Sequence, residues 1–292
     1  MNILVTGATG FIGKALIHEL VQSSHNIFGL DNKNNGQDLK SFPVKQFFDQ
    51  DLTQPFHLEI PFDYVFHLGA LNVTHVGRAE YPEYHRVNVQ GTENLIKAVN
   101  TKKFVLMSTA KVYQRQEGVI DEGSPVGPEG DYERSKLEAE ELCRRYFDEK
   151  DLTIFRAVNI VGPGQAEKAV IPVFFKKALN SEPLEIIYSV HTLLQMLYIG
   201  DLARTFILLL EKDRGAGVIN LCSEETIPIG KLAERIVSIC RSKSHIYSKS
   251  DKEIICSKVT SQKAQDVLGW RARMSVEDIL KNYYEFVSGI NG

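Results

Sequence analysis

The hydrophobic pattern in the first half of the chain alternates between short apolar runs and longer stretches with helical spacing. The apolar runs are rich in β-branched residues and predict strands, whereas residues 11–22 place Ile12, Leu16 and Leu20 on one side of a helix. Predicted strands are 2–6, 26–31, 44–48, 64–68, 103–107 and 152–157, and predicted helices are 11–22, 83–100 and 132–146. This alternation predicts parallel pairing and a doubly wound α/β sheet of the Rossmann type.

The pattern becomes less regular after Gly162-Pro163-Gly164. Beyond this point the sequence predicts helices at 201–210, 229–240 and 276–287 and one strand at 218–221. We therefore predict an NAD-binding Rossmann domain over residues 1–162 and a smaller substrate-binding lobe over residues 163–292, some segments of which can return to the first sheet. The clearest predicted loops are 32–37 and 116–130.

Composition and charge narrow the classes of protein. The chain has 292 residues, 43% of them hydrophobic and 24% charged, which is typical of a soluble globular protein. Its net charge of −3 provides no basic surplus for nucleic acid, and no apolar run is long enough to span a membrane. Because the four cysteines form no CxxC pair, we expect reduced, mostly buried thiols, no metal site and a cytoplasmic protein.

A glycine-rich loop joins the first predicted strand to the first predicted helix. Residues 6–13 read TGATGFIG, which places Gly7, Gly10 and Gly13 in G-x-x-G-x-x-G spacing. Glycines at these points permit a tight turn, let backbone N–H groups approach a pyrophosphate and let the helix pack closely. The helix N-terminus then faces the phosphates. A plain turn is the alternative, but the position between strand and helix predicts dinucleotide binding.

Asp31 ends the second predicted strand, 18 residues after Gly13. A carboxylate there can accept hydrogen bonds from the adenosine ribose hydroxyls and repels a 2′-phosphate, which favours NAD over NADP. The alternative is that Asp31 only begins a loop, with Asn32 as its turn partner. Asp51 and Leu52 follow the third predicted strand and are candidates for contacts with adenine.

Tyr132 and Lys136 lie four residues apart in YERSK and therefore on one face of the predicted helix. An ammonium beside the phenol, together with a positive nicotinamide ring, favours the phenolate and lowers the pKa of Tyr132. Tyr132 can then exchange a proton with a substrate hydroxyl while the nicotinamide exchanges a hydride. Ser108 and Thr109 follow the fifth strand, where a hydroxyl can either bind the substrate oxygen or cap the strand.

Together these motifs resemble the extended short-chain dehydrogenase/reductase family, in particular its NAD-dependent epimerase/dehydratase group, which acts on nucleotide sugars. The similarity runs nearly end to end and includes FHLGA (66–70), NVQGTENL (88–95), MSTAKVY (107–113), FRAVNIVGPG (155–164), LYIGDLA (197–203) and LGW (268–270). The resemblance implies that Thr109 is the catalytic hydroxyl and Tyr132 the acid/base. Lys136 is then the partner of Tyr132 and also holds the nicotinamide ribose.

The resemblance also implies which residues contact the cofactor and the substrate. The positions that match the family's dinucleotide site are Gly7, Gly10, Phe11, Ile12, Asp31, Asp51, Leu52, Leu68 and Asn88. The predicted cofactor site further includes Gly13, Asn32, Gly69, Ala70, Ser108, Tyr132 and Lys136. Thr109 and Asn159 are predicted to bind the substrate. For Asn88 and Asn159 the alternative is a structural amide that ties a loop to the backbone.

The chain departs from the family pattern on the substrate side. Ala110 and Lys111 stand where dehydratases of the family carry an acidic pair, which disfavours sugar dehydration. Leu194 and Ala169 stand where UDP-sugar epimerases carry a diphosphate-binding arginine and a nucleotide-contacting asparagine. Gln195 is nearby, and the candidates to rebuild that contact are Lys168, Lys176, Lys177 and His191, for each of which the alternative is a solvated surface charge.

The favoured prediction is an NAD-dependent epimerase that inverts C4 of a nucleotide sugar through transient oxidation, with NAD tightly held. A dehydrogenase or 4-keto-sugar reductase using NAD(P) is the alternative with the same residues. A non-catalytic NAD-binding regulator is a further alternative, but it has no need for an intact proton relay. The helices at 83–100 and 132–146 match the family's usual dimer surface, so we expect a homodimer without nucleic-acid or membrane partners.

Overall fold

The structure, a computed structural model, describes residues 1–32, 43–72, 79–213, 215–252 and 257–289. Its strands are β1 Asn2–Thr6, β2 Asn26–Asp31, β3 Gln46–Asp49, β4 Pro61–His67, β5 Asn100–Thr109, β6 Val119–Ile120, β7 Leu152–Ala157, β8 Asn159–Val161, β9 Leu184–Ile186, β10 Leu193–Tyr198, β11 Gly217–Leu221, β12 Thr226–Pro228, β13 Ile246–Ser248 and β14 Lys258–Val259. Its helices are α1 Phe11–Leu20, α2 Tyr81–Tyr84, α3 Gly91–Ala98, α4 Asp131–Tyr146, α5 Val170–Leu179, α6 Ile199–Lys212, α7 Ile229–Ile239, α8 Gln262–Leu268 and α9 Val276–Ser288. A π-helix, His85–Gln90, joins α2 to α3, and a short 3₁₀ helix, Ala110–Val112, follows β5.

The central sheet has seven parallel strands in the order β3-β2-β1-β4-β5-β7-β11. This arrangement confirms the predicted doubly wound parallel fold. The strand order reverses between β1 and β4, and ligands of such sheets bind outside the carboxyl ends of the strands at that point. The glycine loop after β1 lies at this place in the topology.

Apolar residues on both faces of the sheet bury it between two layers of helices. Ile3, Val5 and Phe66 belong to one core cluster with residues of α1, α6 and α8. The intervening residues Leu4 and Val65 belong to a second cluster with residues of α3 and α4. Burial on both faces explains why these strands are continuous apolar runs in the sequence.

Segments from the second half of the chain return to this sheet. β11 pairs with β7 along its whole length, and Trp270, which is fully buried, packs in the same cluster as α6 and α8. The indole of Trp270 donates to the carbonyl of Asp201 at 2.9 Å. The predicted boundary at residue 162 stays a prediction, and residues 199–221 and 262–270 lie with the first sheet.

The remaining elements form a second lobe with its own core. β8 and β10 are parallel, and β12 pairs antiparallel with β10. Phe175, Ile236 and Leu280, from α5, α7 and α9, lie in one cluster beside these strands. Two short parallel pairs, β9 with β13 and β6 with β14, complete the lobe, so the loop predicted at 116–130 contains a two-residue strand.

Several predicted elements need correction. The single helix predicted at 83–100 is a succession of α2, the π-helix and α3 that ends at Ala98. The strand predicted at 103–107 runs from Asn100 to Thr109 because it pairs with both β4 and β7. Of the loop predicted at 32–37, residues 33–37 lie outside the described residues.

The cysteines of the described residues are free thiols. Cys143 and Cys222 are buried and Cys240 is partly buried, whereas Cys256 lies outside the described residues. Burial raises the pKa of Cys143 to about 12, so its thiol is unreactive at neutral pH. Across the described ranges, no helix combines the length and apolar character needed to cross a bilayer.

Candidate active site

A cleft of about 1780 Å³ opens at the carboxyl edge of the sheet and extends to the second lobe. Its walls include every predicted catalytic, cofactor and substrate residue except Asn88. Phe174, Met196 and Ile229 line the end that belongs to the second lobe. The fold therefore gathers side chains that are far apart in the sequence into one site.

The glycine loop is shaped by backbone packing. Gly7 has a φ of +63°, and a Cβ there would lie 2.7 Å from the backbone nitrogen of Gly69. A Cβ on Gly13 would lie 2.1 Å from the carbonyl oxygen of Gly7. No described side chain caps α1, and its first turn has no acidic residue. The loop is thus a cradle that Cβ atoms would fill, and the N–H groups of α1 can bind a phosphate.

Asp31 is held at the rim of this cradle. Its Oδ2 accepts hydrogen bonds from the backbone nitrogen of Thr9 at 3.0 Å and from the Thr9 hydroxyl at 2.6 Å. Its Oδ1 accepts from the backbone nitrogen of Asn32 at 3.0 Å. A carboxylate accepts about four hydrogen bonds, which leaves capacity for a ribose hydroxyl. The residues present therefore fit a dinucleotide with an unphosphorylated ribose.

Changing Asp31 to Asn is expected to weaken NAD binding about tenfold, the value of one hydrogen bond to a charged acceptor. The same change removes the charge that repels a 2′-phosphate, so the preference for NAD over NADP should shrink. Isothermal titration with both dinucleotides measures the two effects, and Asp121→Asn, in a remote loop, is the control. Unchanged NAD affinity in Asp31→Asn is the outcome that contradicts the ribose assignment.

Tyr132 and Lys136 lie on one face of α4, and both line the cleft. Lys136 is only 3% exposed, and burial lowers its pKa to about 8. The expected fall in the pKa of Tyr132 is not found in the protein alone. Burial raises that pKa, and the nearby carboxylate of Glu133 adds to the rise. No lowering by Lys136 offsets the desolvation in the protein alone, and a fall in the pKa of Tyr132 beside a positive nicotinamide ring stays a prediction.

The hydroxyls of Ser108 and Thr109, at the end of β5, make different hydrogen bonds. The Thr109 hydroxyl accepts from the backbone nitrogen of Lys111 at 3.2 Å, and its own hydrogen can still be donated into the cleft. The Ser108 hydroxyl instead donates to Glu140 at 2.5 Å and is buried. Thr109 therefore caps the 3₁₀ helix rather than the strand, and it can also bind a substrate oxygen. The contact between Ser108 and the cofactor stays a prediction.

The two predicted asparagines also differ. Asn88, which is 1% exposed, accepts from the backbone nitrogen of Leu71 at 2.7 Å and donates to the Ser135 hydroxyl at 2.9 Å. This geometry favours the structural alternative for Asn88, and its contact with the cofactor stays a prediction. Asn159 is exposed in the cleft, and its amide is 3.4 Å from the carbonyl oxygen of Gln195. It can therefore reach a substrate.

A buried histidine connects the glycine loop to α3. His67, which is 1% exposed, bonds the Thr6 hydroxyl at 2.7 Å and the Thr92 hydroxyl at 2.9 Å. Thr92 already donates to the carbonyl of Asn88, so Nε2 of His67 must be the donor to Thr92. Nδ1 is then an acceptor and the ring is neutral. Burial, reinforced by the charge of Lys136, lowers the pKa of His67 to about 3.

Stability is expected to fall as the pH drops below 6.5, the ordinary pKa of histidine. Between pH 6.5 and about 3 the unfolded chain protonates His67 and the folded protein does not. The free energy of unfolding should therefore fall by about 1.4 kcal/mol per pH unit, roughly 2 kcal/mol between pH 6.5 and 5. Urea titrations at several pH values measure this slope. His67→Gln should lose the slope and His191→Gln, on the surface, should keep it; equal slopes in the two contradict the assignment.

On the substrate side, Leu194 lines the cleft where the family pattern has arginine. Gln195 does not replace that arginine, because its amide nitrogen donates to the carbonyls of Ser223 and Val259 and its oxygen accepts from the Val259 nitrogen. Among the other candidates, Lys168 and Lys177 line the cleft, and Lys176 and His191 are not among its lining residues. Two of the predicted candidates, both lysines, therefore remain, and Arg86, Lys111 and Arg115 also line the cleft.

Sequence reasoning missed a buried ion pair at the helix that carries Tyr132 and Lys136. Glu140 and Arg156 are 2.6 Å apart, and both side chains are almost fully buried. Glu140 follows Lys136 by four residues, as Lys136 follows Tyr132. That repeated spacing on one helix face is the signal from which its position could have been inferred.

The chain is similar to a protein family and to several known proteins. The model of the NAD dependent epimerase/dehydratase family matches residues 3–222. An uncharacterized UDP-glucose epimerase of Bacillus subtilis (strain 168) is 27% identical over 99% of both chains, and a human dTDP-D-glucose 4,6-dehydratase is 26% identical over 98% of this chain and 89% of its own. The crystal structure of a UDP-glucuronic acid 4-epimerase from Bacillus cereus with UDP-glucuronic acid and NAD has a TM-score of 0.86 and 25% identity, and it covers 99% of this chain and all of its own.

Proposed function

Since the chain belongs to the NAD-dependent epimerase/dehydratase family, we propose that it is an NAD-dependent epimerase that inverts C4 of a nucleotide sugar. The observation that carries the proposal is the placement of Thr109, Tyr132 and Lys136 in one cleft with the glycine loop. Ala110, which is buried, and Lys111 follow Thr109 and provide no carboxylate for removing a hydroxyl. This favours epimerisation over dehydration.

The residues divide the chemistry between them. NAD, which the glycine loop and Asp31 would hold, would supply the chemistry of hydride exchange at C4 of the sugar. The Tyr132 oxygen takes the proton of the C4 hydroxyl during oxidation and gives it back after the sugar has turned over. Lys136 stabilises the phenolate, and Thr109 donates a hydrogen bond to the C4 oxygen.

The cofactor is tested directly. Denaturing the purified protein should release tightly held NAD in an amount equal to the protein, as measured by chromatography of the supernatant. A thermal-shift screen of UDP-, GDP-, dTDP- and CDP-sugars should then identify the nucleotide, because only ligands that bind the folded state raise its stability. Incubation with the stabilising sugar should give an equilibrium mixture of two C4 epimers. Stoichiometric accumulation of NADH and an oxidised sugar would instead identify a dehydrogenase.

We also propose that the protein is a homodimer that pairs through α3 and α4. The resemblance and the partial exposure of Leu137 and Leu142 on α4 support this arrangement. Light scattering should give twice the mass of one chain. Leu142→Glu should shift the mass towards that of one chain, and a single-chain mass for the unaltered protein contradicts the proposal.

A further inference from the structure

The carboxylate of Glu140 receives hydrogen bonds from three elements. Ser108, on β5, donates to Oε1 at 2.5 Å. Arg156, on β7, donates through Nη2 to Oε2 at 2.6 Å and through Nε to Oε1 at 3.0 Å and to Oε2 at 3.2 Å. Arg144, one turn along α4, donates to Oε2 at 3.1 Å. Because Glu140 is fully buried, each donor is fixed in place by this one group.

Each of these elements carries a residue of the site. Ser108 directly precedes Thr109, and Ser108 and Arg156 are opposite one another in the pairing of β5 with β7. Tyr132, Lys136 and Glu140 are spaced four apart along α4 and so share a face. The carboxylate of Glu140 therefore joins the segment that carries Thr109 to the helix that carries the proton-transfer pair.

The charges around Glu140 are unbalanced without it. Lys136 and Arg156 are each 3% exposed, and Glu140 is the buried carboxylate beside them. From β4, His67 faces Lys136 as a neutral ring, and Cys143, on α4, faces it as a buried thiol. Burial is the largest influence on the pKa of Lys136 and lowers it, whereas Cys143 and then the charge of Glu140, one turn along α4, act against that lowering. Arg144, on the same helix, is 40% exposed and partly screened by water.

We propose that Glu140 is a positioning residue. Its carboxylate holds Ser108, and through Ser108 the backbone of Thr109, against α4, and it supplies the counter-charge that keeps Lys136 an ammonium. The proposal rests on the proposed function, which gives Thr109, Tyr132 and Lys136 their roles in the reaction. Arg156 also links Glu140 to Tyr113, because its guanidinium lies 4.6 Å from the centroid of the Tyr113 ring.

The first test measures Lys136 in the protein without substrate. The ¹³Cε resonance of Lys136, assigned from the spectrum of Lys136→Met, is followed against pH in wild type, Glu140→Gln and Glu141→Gln. Glu140→Gln should lower the midpoint by about one pH unit because a buried counter-charge is lost. Glu141→Gln, the same change at the next, exposed position, should leave it in place. An unchanged midpoint in folded Glu140→Gln overturns the counter-charge role.

The second test separates the positioning role of Glu140 from its role as a counter-charge. In the double variant Glu140→Leu with Arg156→Met, two opposite charges are removed together, so the protein should fold and the Lys136 midpoint should return towards that of wild type. The kcat should nevertheless stay about 10- to 100-fold low, with little change in KM, because Ser108 has lost its acceptor. A wild-type kcat in this variant overturns the positioning role. Failure of the wild type to turn over any sugar contradicts the proposed function and leaves the Lys136 titration as an independent result.

Discussion

Tyr132→Phe is expected to lower the kcat for epimerisation by about 10²- to 10⁴-fold, the usual contribution of a positioned acid/base. The substitution removes only the oxygen that exchanges the proton. The ring remains to pack against Tyr84, whose centroid lies 5.9 Å away. NAD content and thermal stability should therefore match those of wild type. The measurement is the rate of approach to epimer equilibrium, with NAD content determined on the same preparation.

Tyr84→Phe is the matched control for this prediction. It makes the same change on the neighbouring ring, which is buried and is not among the residues that line the cleft. We expect this variant to turn over at the wild-type rate. If Tyr132→Phe and wild type have equal rates, Tyr132 is not the acid/base, and the proton must leave by another group.

Gly13→Ala is expected to destabilise the fold by about 3 kcal/mol, at the upper end of the cost of overpacking a core. The new methyl group would lie 2.1 Å from the carbonyl oxygen of Gly7 and 2.8 Å from that of Ala8. Both neighbours are backbone atoms, so α1 must move away from the loop. Because that movement separates the phosphate-binding N–H groups, we expect the variant to be purified without bound NAD.

Gly123→Ala provides the comparison for the glycine loop. A Cβ at Gly123 would meet a side-chain oxygen of Asp121 at 3.5 Å, an ordinary contact. Urea denaturation should place this variant within about 0.5 kcal/mol of wild type, as for most surface substitutions. If Gly13→Ala is equally mild and still retains NAD, close packing of α1 against the loop is not required.

The sequence predicted the Rossmann half well because long elements buried on both faces leave strong periodic patterns. The second lobe is different. β8, β9, β12 and β13 have three residues each, too few for alternation to be recognised. α5 begins with two β-branched residues and Pro172, which obscure a helical pattern even though proline is tolerated in a first turn. A π-helix of six residues also differs too little from an α-helix in spacing to be detected.

For the site, motifs predicted the catalytic residues but not the side chains that hold them in place. Glu140 lies in the run Glu138-Ala139-Glu140-Glu141, which has the composition of a solvent-exposed helix face. Its burial depends on Arg156, sixteen residues later on another element, and no local pattern joins the two. The bond from Ser108 to Glu140 was missed for the same reason, because sequence spacing does not determine which way a hydroxyl points.

The return of β11 to the sheet has a consequence for synthesis of the protein. When residues 1–162 have left the ribosome, β7 is the outer strand of a six-stranded sheet, and its side chains are all buried in the finished fold. Those on one face, Phe155 and Ala157, stay uncovered until α6, β11 and Trp270 have followed, some hundred residues later. The nascent chain thus exposes an apolar strand edge, the kind of surface that pairs with other chains and attracts chaperones. The N-terminal half is consequently a sheet whose outer strand is paired and covered only by later parts of the chain.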